Sequence, residues 1–204
     1  MAQRAKPSDP EPSGRTLVVA ATGASGARLA VRFLGHLLAH PGVGAVHFVG
    51  SHAFALVAAR EEGRKLPEML KGLPGREKLH LYQEEQLDAC VSSGSFPVDG
   101  TVIIPASMST VGAVASGAGR TLCHRVAEVA LKERRPLILV PRETPLSLIH
   151  LRNLATLAEA GALVAPFIPA FYQRPGSVEA LMDHFFMRLF DHLGLPSALS
   201  TRWS

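Results

Sequence analysis

Lys132-Glu-Arg-Arg-Pro-Leu-Ile-Leu-Val-Pro-Arg-Glu-Thr-Pro145 decides the reading of this chain. Four consecutive apolar residues, 137–140, follow a cationic cluster and are followed at once by Arg142 and Glu143. A short run that is apolar on both faces reads as a strand buried in a parallel sheet. Open α/β sheets bind their ligands just beyond the carboxyl ends of such strands. Arg142 and Glu143 therefore stand where site residues are expected.

Outward from that strand, apolar runs alternate with helical spacing. Strands are expected over 17–21, 45–49, 79–82, 101–104 (stopped by Pro105) and 162–165. Helices are expected over 27–39, 53–62, 121–135, 146–160 and 177–193, with Ser177 as N-cap and Gly161 as a stop signal. Residues 63–78 are polar with repeated Gly and Pro, the mark of a loop or insertion. This order predicts one α/β domain over residues 16–194, a Rossmann- or flavodoxin-like doubly wound parallel sheet. Residues 1–15 read as a disordered leader and 195–204 as a C-terminal tail. The helix at 177–193 is apolar nearly all round, which suits either a deep core helix or a subunit interface.

The chain has 204 residues, 47% of them apolar, enough for one full core. No apolar run reaches membrane-spanning length, and the start lacks a secretory pattern. Its two cysteines form no CxxC pair and suggest a reduced, cytoplasmic setting; both read as small buried apolar residues. The net charge of +4 is spread along the chain without a basic stripe, which argues against nucleic acid and suits a phosphate-handling site. The nine histidines show no metal-ligand spacing, so no metal is expected. No GxSxG elbow points to a hydrolase.

Thr22-Gly-Ala-Ser-Gly26 lies between a strand and a helix, where backbone amides and the helix dipole favour an anion. It is not GxGxxG, and the second strand ends at Val49-Gly-Ser51 without an acidic residue for a ribose. Neither tyrosine has a lysine four residues on, so dinucleotide chemistry is disfavoured. Ser107, Ser109 and Thr110 open a second anion-receptive segment after Pro105, equally compatible with plain capping. Pro166-Phe-Ile-Pro-Ala-Phe-Tyr-Gln-Arg-Pro175 is a proline-stiffened loop carrying Tyr172.

Thr22-Gly-Ala-Ser-Gly-Ala27, Ser107-Met-Ser-Thr110, Leu131-Lys-Glu-Arg-Arg-Pro136, Arg142-Glu-Thr-Pro-Leu146, His150-Leu-Arg-Asn153 and Pro169-Ala-Phe-Tyr-Gln-Arg-Pro175 occur in an order and spacing that resemble the UbiX-type flavin prenyltransferases. The resemblance covers residues 16–194. It implies transfer of a dimethylallyl group from dimethylallyl phosphate to N5 and C6 of reduced FMN, without a metal. The prenylated FMN would then pass to a UbiD-type decarboxylase. By the same resemblance Gly23, Ala24, Ser25, Ser51, Ser107, Met108, Ser109, Thr110 and Arg142 would hold FMN. Lys132, Tyr172 and Arg188 would grip the prenyl phosphate, with Arg125 reaching in from a neighbouring subunit of a homo-oligomer, a dodecamer. Glu143 and Ser25 would handle protons.

Those residue types suit the chemistry. Breaking an allylic C–O bond without a metal leaves phosphate charge that fixed cations and hydroxyls must meet. The allyl cation needs a π-face, and a carboxylate beside the acceptor can take the proton released. This chain departs from the resemblance at Ser109, where a lysine is common, and near Ala89, where a tryptophan is. Trp203 resembles a late aromatic that would close the site. The alternatives are a flavin-dependent cysteine decarboxylase of related fold and a non-catalytic FMN-binding protein. The first usually has an Asn in the serine-rich motif and a His in the middle segment; residues 88–97 hold no His. The second needs no second phosphate clamp.

Overall fold

The computed structural model describes residues 14–200 and 202. Its elements run β1 (Arg15–Ala21), α1 (Ala27–Ala39), β2 (Val43–Gly50), α2 (His52–Glu62), α3 (Leu66–Lys71), β3 (Leu79–Gln83), β4 (Gly100–Ala106), α4 (Met108–Ala115), α5 (Leu122–Lys132), β5 (Leu137–Pro141), α6 (Leu148–Glu159), β6 (Leu163–Val164) and α7 (Val178–His192). The six strands form one sheet in the order β3-β2-β1-β4-β5-β6, and every pairing is parallel. Strand order reverses between β1 and β4, so their carboxyl ends diverge into a crevice.

Strand alternation divides the core into two layers. Leu17, Val19 and Ala21 face one side, with Phe33 and Leu37 of α1, Phe54 of α2 and Phe186 and Phe190 of α7. Val18 and Ala20 face the other, with Met108 and Val111 of α4, Leu122 and Val126 of α5 and Leu157 of α6. A sheet covered on both faces explains why β5 is apolar throughout. Helix α7 belongs to the core: Phe33 meets Phe186 and Phe190 at centroid separations of 5.4 and 5.9 Å. Asp183 also fastens it to α1, accepting from Arg32 Nε and Nη2 at 2.7 and 2.6 Å with His36 Nε2 at 3.0 Å.

Several expectations need correction. Residues 63–78 are not merely a loop, because α3 forms there with Pro67 in its first turn, where no intrahelical amide bond is lost. Met69 and Leu70 bury themselves from α3, which is what a short polar-looking segment conceals. Strand β4 continues past Pro105 to Ala106, with an irregular register against β5 in place of a stop. Cys90 is exposed rather than buried, with Sγ 3.5 Å from Tyr82 Oη; Cys123 is buried as expected. The expected helices 121–135 and 146–160 are shorter, and β6 has only two residues.

Arg15 opens β1, one residue inside the expected leader. At the other end Leu195 is buried and Leu199 packs against the core. Trp203 lies outside the described residues.

Candidate active site

The loop after β1 and the loop after β4 are tied by one side chain. Buried Thr22 donates from Oγ1 to the Pro105 carbonyl at 3.1 Å and accepts from the Ser107 amide at 2.8 Å. The Thr22 amide also donates to the Pro105 carbonyl at 3.0 Å. A third loop joins when the Arg142 amide donates to the Ala106 carbonyl at 3.1 Å. Loop closeness demands glycine twice. A Cβ on Gly23 would meet Ala53 Cβ at 2.6 Å, and Gly26 sits at φ 128, in the left-handed half where side chains are strained.

Between these loops lies a recess of about 450 Å³. Gly23, Ala24, Ser25, Ser107, Met108, Ser109, Arg142 and Glu143 line it, with His150 and Asn153 of α6. Eight residues singled out in the sequence thus converge from three loops. Through Ser25, Arg142 and Glu143 the recess continues into a second one of about 580 Å³, bounded by Pro166 and Ile168. Those two residues also border a third, about 310 Å³, which holds Tyr172 and Arg188. Three adjoining recesses therefore line the carboxyl edge of the sheet from the serine-rich motif to the proline loop.

Ser107 is the N-cap of α4: its Oγ accepts from the Thr110 amide at 3.3 Å and donates to Thr110 Oγ1 at 3.1 Å. Thr110 is buried in that cap and does not line the recess. Ser51 likewise caps α2, accepting from the Phe54 amide at 3.0 Å, and borders a different hollow beside β3. Glu143 is exposed, with Oε1 accepting from the Thr144 amide at 3.0 Å.

Two cations stand apart. Helix α5 starts at the carboxyl edge, where the Leu122 amide meets the Glu84 carbonyl. It ends at the opposite edge with Lys132, which pairs with Glu133 beside Gly94. The expectation that Lys132 shares a recess with Tyr172 and Arg188 of its own chain is therefore not met. Arg125 is absent from the cleft too; its Nε donates to the Ser92 carbonyl at 3.0 Å. Both lie on α5 seven residues apart, two turns along one face.

The sequence reading missed Glu61. This carboxylate of α2 crosses the amino end of α1, with Oε2 accepting from the Gly26 and Ala27 amides at 3.1 and 2.8 Å. It also bonds the Ser25 hydroxyl and feels the Arg142 charge. Burial pushes its pKa up, but the Ser25, Ala27 and Gly26 bonds and Arg142 together outweigh that, holding it below the usual carboxylate range. No local signal marks Glu61, since it lies in the last turn of an ordinary helix far along the chain from the amides it meets. The anion-receptive amides of α1 are thus satisfied from within.

A polar cradle at the switch point, a helix amino end carrying Ser107 and Ser109, and a guanidinium beside them fit FMN, whose phosphate and ring carbonyls need donors. Among the described residues no group of three His, Cys, Asp or Glu could hold a metal. No helix among them is long and apolar enough to cross a membrane.

The Flavoprotein family matches residues 5–183. The probable UbiX-like flavin prenyltransferase of Streptomyces sp. (strain D7) is 42% identical over 188 residues, 92% of this chain and 91% of that one. The flavin prenyltransferase UbiX of Pseudomonas aeruginosa is 39% identical, covering 92% and 93%. The crystal structure of AnUbiX (PadA1) in complex with FMN and dimethylallyl pyrophosphate superposes with a TM-score of 0.86 at 39% identity, covering 94% and 98%. A dodecameric FMN-dependent UbiX-like decarboxylase from Escherichia coli O157:H7 gives 0.85 at 36%, covering 93% and 99%. The cysteine decarboxylase TvaF, at 21% identity and 0.57, shares the fold alone. This chain belongs to the Flavoprotein family and, within it, to the UbiX-type flavin prenyltransferases.

Proposed function

We propose that this protein transfers the dimethylallyl group of dimethylallyl phosphate to reduced FMN. The row of recesses carries that reading: Arg142 and Glu143 stand between the FMN-type cradle and a middle recess, whose Pro166 and Ile168 also border the recess holding Tyr172 and Arg188. A protein that only stores FMN has no use for a second cationic pocket.

When bound and reduced, FMN supplies the nucleophilic N5 and C6 positions. In this reading Gly23, Ala24, Ser25, Met108 and Ser109 hold it, with Arg142 facing its anionic or carbonyl groups. Ser51 and Thr110 act from behind, as caps that stiffen the loops. Arg188 and the Tyr172 hydroxyl meet the charge that grows on the departing phosphate. The donor's apolar tail is sheltered by the Pro166, Phe167 and Ile168 wall of the middle recess.

Two carboxylates flank that wall. Glu143 keeps Oε1 on the Thr144 amide, leaving Oε2 to accept a proton. Glu61, bonded to the Ser25 hydroxyl, gives a second route by which a proton can leave through Ser25. Arg125 and Lys132 complete the phosphate clamp only from a neighbouring subunit, so a homo-oligomer is part of the proposal, a dodecamer like the E. coli relative. The product would serve a UbiD-type decarboxylase in the cytoplasm.

The test is anaerobic incubation of protein, FMN, reductant and dimethylallyl phosphate, with dimethylallyl pyrophosphate in a parallel arm. A flavin heavier by one prenyl unit is expected. Unmodified FMN in both arms, from protein that retains the flavin, rejects the activity.

A further inference from the structure

His184 is the polar member of the set that α7 buries, otherwise Met182, Phe186, Met187, Leu189 and Phe190. It is only 8% exposed, and both ring nitrogens are engaged. Nε2 lies 3.0 Å from Tyr172 Oη, and Nδ1 lies 3.2 Å from Ser200 Oγ. The Tyr172 and His184 rings meet edge to face, 5.6 Å between centroids at 88°. Ser200 belongs to the segment that folds back after α7. That segment is anchored by Leu195 and Leu199 and by Arg202, whose Nη1 and Nη2 donate to Asp191 at 2.8 and 2.7 Å.

A phenol has a single hydrogen. If Tyr172 spends it on His184, the ring offers a bound anion nothing but oxygen lone pairs. The opposite polarity solves this. Ser200 donates to Nδ1, the ring proton then sits on Nε2, and Nε2–H donates to Tyr172 Oη. The tyrosine O–H can then turn toward an anion bound in the recess that Tyr172 shares with Arg188. An anion there selects this polarity, because O–H···O⁻ is stronger than O–H···N between neutral groups.

We infer that His184 is a positioning residue which, with its tautomer set by Ser200, aims the Tyr172 hydroxyl hydrogen at the phosphate of the prenyl donor. The inference rests on the proposed phosphate-binding role of Tyr172. It adds that the chain's returning end, through Ser200, governs donor affinity without touching the donor.

The experiment measures Kd for dimethylallyl phosphate by calorimetry on the FMN-loaded full chain, and KM and kcat for product formation. His184→Phe keeps ring volume and loses both bonds; its Kd and KM are expected to rise about tenfold, the loss of roughly one hydrogen bond, and kcat to fall as well, because the same hydroxyl meets the charge of the departing phosphate. His184→Gln, whose amide can still donate to Oη, should recover most of that loss. In a Tyr172→Phe background, His184→Phe should add nothing. If Tyr172→Phe weakens binding and His184→Phe does not, the positioning role falls while the Tyr172 reading stands. If Tyr172→Phe changes nothing, the reading falls and takes the inference with it. Should the variants fold poorly, 15N imidazole shifts of wild-type His184 with dimethylallyl phosphate decide: Nε2 protonated supports the relay, and Nδ1 alone protonated overturns it.

Discussion

The Thr22 hydroxyl holds the Ser107 amide at 2.8 Å, and that bond ties the loop after β1 to the loop after β4. Thr22→Val keeps the shape and removes both bonds, leaving the Ser107 N–H and one Pro105 acceptor position without the threonine. A buried donor left without a partner costs about 1–3 kcal/mol. Urea unfolding should show a loss in that range, and FMN titration a weaker Kd, while Thr22→Ser should be milder on both. Undiminished FMN affinity in Thr22→Val would mean the cradle does not depend on this tie.

Glu61 gives a pH signature. Its folded pKa is depressed, so its contribution is fully present above the unfolded carboxyl pKa and is lost as pH falls through the folded one. Acidification below the ordinary carboxylate range should therefore weaken the amino end of α1. Glu61→Gln leaves one acceptor oxygen and no charge, and should cost about 1 kcal/mol at neutral pH. It should also flatten the acid limb of stability measured by urea unfolding. An acid limb identical to wild type would contradict the assignment.

His47 predicts a loss of the same sign in a higher pH window. Burial first, then the neighbouring His80, lowers its pKa to about 4, and Nδ1 is spent on Tyr82 Oη at 2.9 Å. The unfolded chain takes up the proton near pH 6.5, the folded chain only near 4, so stability declines as pH falls between them. At most this is worth about 3 kcal/mol. His47→Phe should remove that slope, at the fixed cost of the Tyr82 bond. Thermal melts from pH 7 to 4 measure it, and a variant that keeps the wild-type slope would place the titration elsewhere.

What the sequence made legible follows from locality. Strands β1, β4 and β5 are apolar on both faces, and the turn 22–26 and the serine-rich cap are contiguous, so their chemistry is visible in order. Glu61 and His184 were illegible for one reason: each acts through a partner 34 and 12 residues away, Ala27 and Tyr172, and neither lies in a motif. Lys132 shows another limit of locality. A motif does not say which end of a helix it will occupy, and α5 carries Lys132 to the edge of the sheet opposite its own chain's recesses. Helix α3 was hidden because a six-residue helix shows too few turns for a period.

That geometry makes a sharp prediction about Arg125. If Arg125 and Lys132 serve the cleft of a neighbouring subunit, each site draws on two chains. Arg125→Ala removes a group given to the neighbour, whereas Glu143→Gln removes a group each chain keeps for itself. Each variant alone should bind FMN and make little product, Arg125→Ala by weak donor use and Glu143→Gln by loss of its proton acceptor. Co-assembled, an Arg125→Ala chain facing a Glu143→Gln chain owns an intact Glu143 and borrows an intact Arg125. Random pairing should then restore roughly a quarter of the sites, an effect that only a shared interface allows. Mass detection of prenylated flavin from co-expressed, differently tagged chains reads the recovery directly. Mixed oligomers no more active than either parent would place the clamp within one chain, against the direction in which α5 runs.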